Sequence, residues 1–252
     1  MPASPSFPRR LSVAEVPPLP VAEHSRTVAE RSRSRSVAVG VSPKVIYLDA
    51  FGTLFGVKGS VGEIYSTLAR TVQVKTDPMA VNRAFFQSFA AAERMAFPGV
   101  DKSAIPELEF RWWKAVVAET FDRVGALGKF EDFDTFCEGL YGYFETSAPW
   151  HVYPDTLTSL RRWQSMGIAL GVISNFDSRL YRVLAVLGLT DYFQSVTIST
   201  EVGAAKPSGA IFKAALAKHG CDAADAWHIG DSEAEDYAGA RAVGMSAILV
   251  AR

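Results

Sequence analysis

Apolar residues run unbroken from Val45 to Leu48 and stop at a carboxylate, Asp49. Such a short run, half of it β-branched, reads as a buried strand. From residue 61 to 147 the period changes to that of helices. Val61, Ile64, Tyr65, Leu68 and Val72 share one face, and Val81, Phe85 and Phe89 form a second stripe. Phe110, Trp113, Val117, Phe121 and Val124 form a third, and Phe133, Phe136, Leu140 and Phe144 a fourth. The spacing predicts amphipathic helices with short connections, packed as a small bundle. Pro78 and Pro106 fall near helix starts, where a missing N–H costs little.

After Pro149 strands and helices alternate. "IALGVIS" (168–174), "SVTIS" (195–199), "AWHIG" (226–230) and "AILVA" (247–251) read as strands. Between them lie helices carrying Leu180, Val183, Leu184 and Leu187, then Ile211, Phe212, Ala215 and Leu216, which stop at Gly188 and Gly220. The alternation predicts an α/β fold: a three-layer, Rossmann-like core, its parallel sheet covered by helices on both faces. The first strand lacks a core helix directly after it. The expected division is therefore a core of residues 44–58 and 150–252, with a helical cap of residues 59–149 inserted. Hinges are expected near residues 56–60 and 147–151, where Gly56, Gly59 and Pro149 punctuate the chain.

Composition adds mostly exclusions. The 252 residues are 48% hydrophobic and 21% charged, with a net charge of −1. Nothing in that balance favours nucleic acid or a membrane surface, and no apolar run approaches the roughly 18 residues of a membrane span. Cys137 and Cys221 have no metal-ligand spacing and read as thiols of a reducing compartment. Residues 1–43 are rich in Pro, Ser and Arg, with Glu15, Glu23 and Glu30 as their only acids. Poor in large apolar groups, this arm is expected to be disordered. It reads first as a functionless or over-extended start, second as a transit peptide, third as an RNA-binding arm through "RSRSRS". The expected location is cytoplasmic, or a plastid if the arm is a transit peptide. The expected partner is a small-molecule substrate, with the chain a monomer or weak homodimer.

Ligands of open α/β sheets bind beyond the carboxyl ends of the strands. Asp49 follows the first strand, Ser174 and Asn175 close the second, Lys206 lies past the third, and Asp231 follows the fourth. Singly, Asp231 reads as a turn or helix cap, Asp236 as an exposed helix charge and Lys206 as a solvated loop residue. Together at successive strand ends they read as a site, because burying charge costs several kcal/mol and a core gains nothing from it. His151, His219 and His228 show no triad or metal spacing. "RWW" (111–113) and "YGYF" (141–144) read as bundle core, with some members free to face the site.

"DAFGTLF", "VISNFD", "AAKPSGAIF" and "GDSEAED" resemble, in order and spacing over residues 44–252, the motifs of the haloacid dehalogenase-like hydrolase superfamily. The inserted helices resemble the cap of its subfamily IA, and "VGEIY", "PWHVYPD" and "EVGAAKP" its rhythmically-expressed-gene-2-like branch. The resemblance implies a phosphatase-type hydrolase with Asp49 as nucleophile, through an aspartyl-phosphate. It implies Thr53 orienting the reacting groups, Ser174 and the backbone near Asn175 holding the transferring oxygens, and Lys206 neutralising charge. It implies Mg²⁺ held by Asp49, the Phe51 carbonyl and Asp231, supported by Asp236, with Glu235 or Glu233 as alternatives to the last.

Phosphatases of that superfamily usually carry an aspartate two residues after the nucleophile, as proton donor. Phe51 stands there. A small phosphorylated metabolite hydrolysed with Mg²⁺ is the first reading. A 2-haloacid dehalogenase is an alternative, because halide leaves without a proton, with Arg70, Arg83, Arg94 or Arg111 as halide ligand. A weakly active or non-catalytic binding protein is the other. Asp49 and Asp231 together would repel without a cation between them, which favours the first.

Overall fold

Residues 42–252 are described by the computed structural model. The expectation of a disordered arm concerns residues of which 1–41 lie outside the described ones. A parallel sheet of five strands takes the spatial order β5-β4-β1-β6-β7. Its members are β1 (Val45–Leu48), β4 (Ala169–Ser174), β5 (Ser195–Ile198), β6 (Ala226–Gly230) and β7 (Ser246–Leu249). β1 is central, pairing β4 from Val45↔Ala169 to Leu48↔Val172 and β6 from Val45↔Ala226 to Leu48↔Ile229.

Strand alternation explains the continuous apolar run. Ile46 and Leu48 face one side, packing with Leu160 of α5 (Thr156–Ser165) and with Leu180 and Leu184 of α6 (Arg179–Val186). Val45 and Tyr47 face the other, with Ile211, Phe212 and Ala215 of α8 (Gly209–His219) and Ala240 of α9 (Gly239–Ala242). With helices on both faces, each residue of β1 is inside, as a period-two strand in a covered sheet requires. Gly188 and Gly220 follow α6 and α8 with φ of 69° and 54°, the left-handed stop the sequence predicts.

The helical segment forms α1 (Val61–Thr71), α2 (Pro78–Ala91), α3 (Ile105–Arg123) and α4 (Phe133–Tyr143). Ser60 and Glu63 close a capping box on α1, and Asp77 accepts from the Met79 and Ala80 amides at the start of α2. Tyr65, Phe85, Val117, Phe121, Phe136 and Leu140 bring the predicted stripes into one cluster. The chain enters and leaves this segment through a ribbon absent from the sequence reading. Its strands, β2 (Phe55–Val57) and β3 (Trp150–Val152), pair antiparallel with Gly56 opposite His151. Three residues per strand are too few for a readable period. The short α7 (Ser199–Val202) follows β5 directly and leads to Lys206. Among the described residues no helix is long and apolar enough to cross a membrane.

Candidate active site

The chain order reverses around β1: β4 and β5 lie on one side of it, β6 and β7 on the other. Carboxyl ends at such a reversal leave a crevice, and the predicted side chains meet there. Asp49 is fixed by its own backbone amide, which donates to the Ile229 carbonyl at 2.9 Å. Its Oδ1 accepts from Ser174 Oγ at 2.9 Å and from Lys206 Nζ at 2.6 Å. No hydrogen bond among the described residues goes to Oδ2, which leaves that oxygen to whatever enters the crevice.

Lys206 is buried, at 2% exposure, and the loop lysine of the single-residue reading is thereby corrected. A buried ammonium must be paired. Its Nζ lies 2.6 Å from Asp49 Oδ1 and 2.6 Å from Asp236 Oδ1. Burial works against its charge, but Asp49 and Asp236 outweigh burial and hold its pKa above the ordinary 10.5. Asn175 anchors the lysine's backbone: its Oδ1 accepts from the Lys206 amide at 2.6 Å and its Nδ2 donates to the Lys206 carbonyl at 3.0 Å. The Asn175 side chain is thus shared between Lys206 and, through Nδ2, Glu235.

Asp236 is also inside, at 2% exposure, where a helix-surface charge was the alternative. It belongs to a π-helical segment, Glu233–Ala238, capped by Ser232. Gly230 makes room for it, since a Cβ there would lie 2.5 Å from Asp236 Cβ. Glu233 points to solvent, and Glu235 sits on the rim, bonded by Arg94 at 2.5 Å and Asn175 at 2.9 Å. Asp236 Oδ1 also meets His228 Nε2 at 2.7 Å. Burial alone would raise the Asp236 pKa, but His228 and Lys206 reverse the sign and hold it well down. Sequence reading passed over His228 as a strand residue. The structure places it, fully buried, directly behind the acid. Among the described residues its Nδ1 has no partner, and burial lowers its pKa.

Asp231 follows β6 and is exposed at the crevice mouth. Gly52, at φ 85°, lets the chain turn against it, since a Cβ there would lie 2.7 Å from Asp231 Cγ. Thr53 directs its hydroxyl to Asp231 Oδ1 at 3.4 Å, toward that acid and not toward the nucleophile. One carboxylate oxygen from each of Asp49, Asp231 and Asp236 lies within 4.8 Å of the others. Burial raises the pKa of both Asp49 and Asp231. Lys206 offsets part of this at Asp49, while the neighbouring carboxylates add to it at Asp231. The three acids have one buried ammonium among them, so an all-oxygen site with uncompensated negative charge remains. That suits a hard divalent cation.

Phe51 is 44% exposed and lies at the crevice floor, its ring against Trp150. Its side chain has no proton to give. The cavity above holds about 300 Å³ and runs from Asp49, Lys206 and Asp231 up to Phe89, Trp113 and Tyr141 of the helices. "RWW" and "YGYF" therefore contribute to the cavity wall as well as to the bundle. Among the described residues, the arginine that reaches this cavity is Arg179, which sequence reading did not name. Asp177 holds its Nε and Nη2 at 2.8 and 2.6 Å, and its guanidinium lies 3.7 Å from the Tyr141 ring centroid. Arg70, Arg83 and Arg111 are exposed, and Arg94 is paired on the rim. Three further hydrogen bonds join helices to sheet unit: Trp113 Nε1 donates to Asp177 Oδ2 at 2.6 Å, and Glu109 accepts from the Ser178 amide at 2.9 Å and its hydroxyl at 2.5 Å.

Known proteins resemble this chain over most of its length. The family model described as haloacid dehalogenase-like hydrolase matches residues 43–244. "Haloacid dehalogenase-like hydrolase domain-containing protein 3" of Mus musculus is 34% identical over 210 residues, covering 82% of each chain. "Rhythmically expressed gene 2 protein" of Drosophila melanogaster is 27% identical over 215 residues, again covering 82% of each. A solved HAD phosphatase from Thermococcus onnurineus superposes with a TM-score of 0.55 at 23% identity, covering 83% of this chain and 86% of that one, which shows the shared fold.

Proposed function

The chain belongs to the haloacid dehalogenase-like hydrolase family, and from that premise we propose that it hydrolyses phosphate monoesters with Mg²⁺. The observation that carries this is the set of three carboxylates, Asp49 and Asp231 at strand ends and Asp236 on the π-helical segment beyond. Asp231 and Asp49 stand together with too little positive charge between them, which a metal-free dehalogenase would have no reason to keep. Asp49, Asp231 and Asp236 would hold the ion with the Phe51 carbonyl. Once bound, it would draw charge from the phosphate oxygens.

The remaining steps use this chain's own groups. Asp49 Oδ2 attacks phosphorus, while Lys206 and Ser174 keep Oδ1 ionised and aligned. Lys206 sits where negative charge gathers on the transferring group. Asp236 and His228 hold the lysine in place, and Asn175 fixes its backbone. Phe51 donates no proton, so the leaving group departs unassisted. The test is phosphate release from p-nitrophenyl phosphate with and without Mg²⁺, for the wild type and Asp49→Asn. Activity that needs both the metal and Asp49 is expected. Indifference to either sinks the reading.

A further inference from the structure

Two independent features of the cavity narrow the substrate. Resting on the hydrolase reading above, we infer that the physiological substrate is an aryl phosphate, in which phosphate is carried by the oxygen of an aromatic ring.

The first feature is the distribution of polarity. The groups able to bind phosphate sit at one end, at Asp49, Ser174, Lys206 and Asp231. Away from that end the wall is Phe86, Phe89, Phe110, Trp113, Tyr141 and Phe144. Phe51, Phe86 and Phe89 are the large exposed phenylalanines among the described residues, at 44%, 55% and 44%, and all three line this cavity. The two cations on the far wall are already neutralised. Lys114 pairs with Asp134 at 2.7 Å, and Arg179 is gripped by Asp177. A sugar would lose its hydration there with few donors or acceptors to replace it. Among the described residues of the cavity wall, a second anionic group would find no free positive charge. A flat apolar ring would meet edges and faces of other rings, the arrangement aromatic groups favour. The volume of about 300 Å³ suits a small ring system.

The second feature is Phe51. Without a proton donor beside the nucleophile, the breaking bond must release a stable anion. A phenolic oxygen, with an ordinary pKa of about 10, meets that need far better than an alkoxide does. Asp49 forms a bond to phosphorus and the phosphorus–oxygen bond to the ring breaks, its electron pair leaving on the aryl oxide. Water then cleaves the aspartyl phosphate, returning the carboxylate, and its protons are shared between the inorganic phosphate and the phenol. One aryl phosphate and one water give one phenol and one phosphate.

The experiment measures kcat/KM of the full chain with Mg²⁺ on 1-naphthyl, phenyl and benzyl phosphate, glucose 6-phosphate and acetyl phosphate. Phenyl and naphthyl phosphate are expected to exceed benzyl phosphate by about 10²-fold or more, the usual size of missing proton transfer. Glucose 6-phosphate is expected to be poorer still. Phe89→Ala is expected to raise KM for naphthyl phosphate several-fold more than for acetyl phosphate. Benzyl phosphate or glucose 6-phosphate turned over as well as phenyl phosphate overturns the aryl assignment and leaves the hydrolase reading standing. So does acetyl phosphate as the sole substrate. Turnover of none, acetyl phosphate included, overturns the hydrolase reading itself.

Discussion

The ring of Phe51 meets the ring of Trp150 edge to face, with centroids 6.2 Å apart and planes at 70°. The position that the sequence resemblance assigns to a proton donor is thus part of an aromatic floor. Phe51→Asp exchanges that contact for a donor. Because the ring is 44% exposed, the backbone should tolerate the change. Benzyl phosphate turnover should rise by about 10²-fold or more, toward the usual worth of general acid–base help. Phosphate release under steady-state conditions measures it, and an unchanged rate would show that proton supply is not the limit.

Metal binding should appear in stability. An ion held only by the folded chain adds about 2.7 kcal/mol at a hundred times its Kd. Mg²⁺ should therefore raise the melting temperature of the wild type and scarcely move that of Asp231→Asn. The pH dependence has a fixed sign. Asp49 and Asp231 both titrate above the ordinary 3.8, so they keep their protons at pH values where a free carboxylate has lost them. The Mg²⁺ shift should be full well above that range and fade as pH falls through the raised pKa values. Thermal denaturation over a pH series reads both effects.

Lys206 holds two buried carboxylates, so removing it should be worse than losing a contact. Lys206→Met leaves Asp49 and Asp236 without their cation, and such an orphaned buried charge typically costs 3–5 kcal/mol, here about that much. Urea denaturation at neutral pH should show the loss. The gap from wild type should narrow as pH falls, because protonation relieves the unpaired acids.

Glu109 offers a second pH test away from the crevice floor. It is fully buried, and although Ser178 hydrogen-bonds it, burial dominates and raises its pKa above the ordinary 4.5. Asp177 adds to the rise, while Arg179 lies beside Asp177. In the folded chain it therefore holds its proton more tightly than when unfolded, so its contribution to stability declines as pH rises from about 4.5 through the raised value. Glu109→Gln removes that titration. The stability of the variant relative to wild type should improve as pH climbs through this window, by denaturant midpoints. A difference independent of pH would mean that Glu109 does not titrate in the fold.

The parts of this molecule that sequence discloses are those set by local pattern. Val45–Leu48 ending on Asp49, and charged residues after successive apolar strands, needed no tertiary knowledge to stand out. His228 escaped because "AWHIG" hides a histidine among strand residues, and its partner Asp236 lies beyond a turn and on a π-helical segment no simple period predicts. The Glu109–Ser178 and Trp113–Asp177 bonds depend on how helices settle on the sheet unit. One signal was present: Glu109 lies four residues before Trp113 and eight before Val117, on the apolar stripe of α3, where an acid is out of place. The β2–β3 ribbon was invisible because three-residue strands carry no period.

That ribbon has a mechanical consequence. The chain crosses between sheet and helices twice, and Gly56 opposite His151 ties the two crossings to each other. Two separate strings would let the helices slide, twist or lift over the sheet independently. A laced pair would restrict any such movement to a swing about the ribbon. A swing that lifted the helices from the sheet would part Glu109 from Ser178 and Trp113 from Asp177 in the same movement. In such a swing, access to the cavity and release of those bonds would coincide.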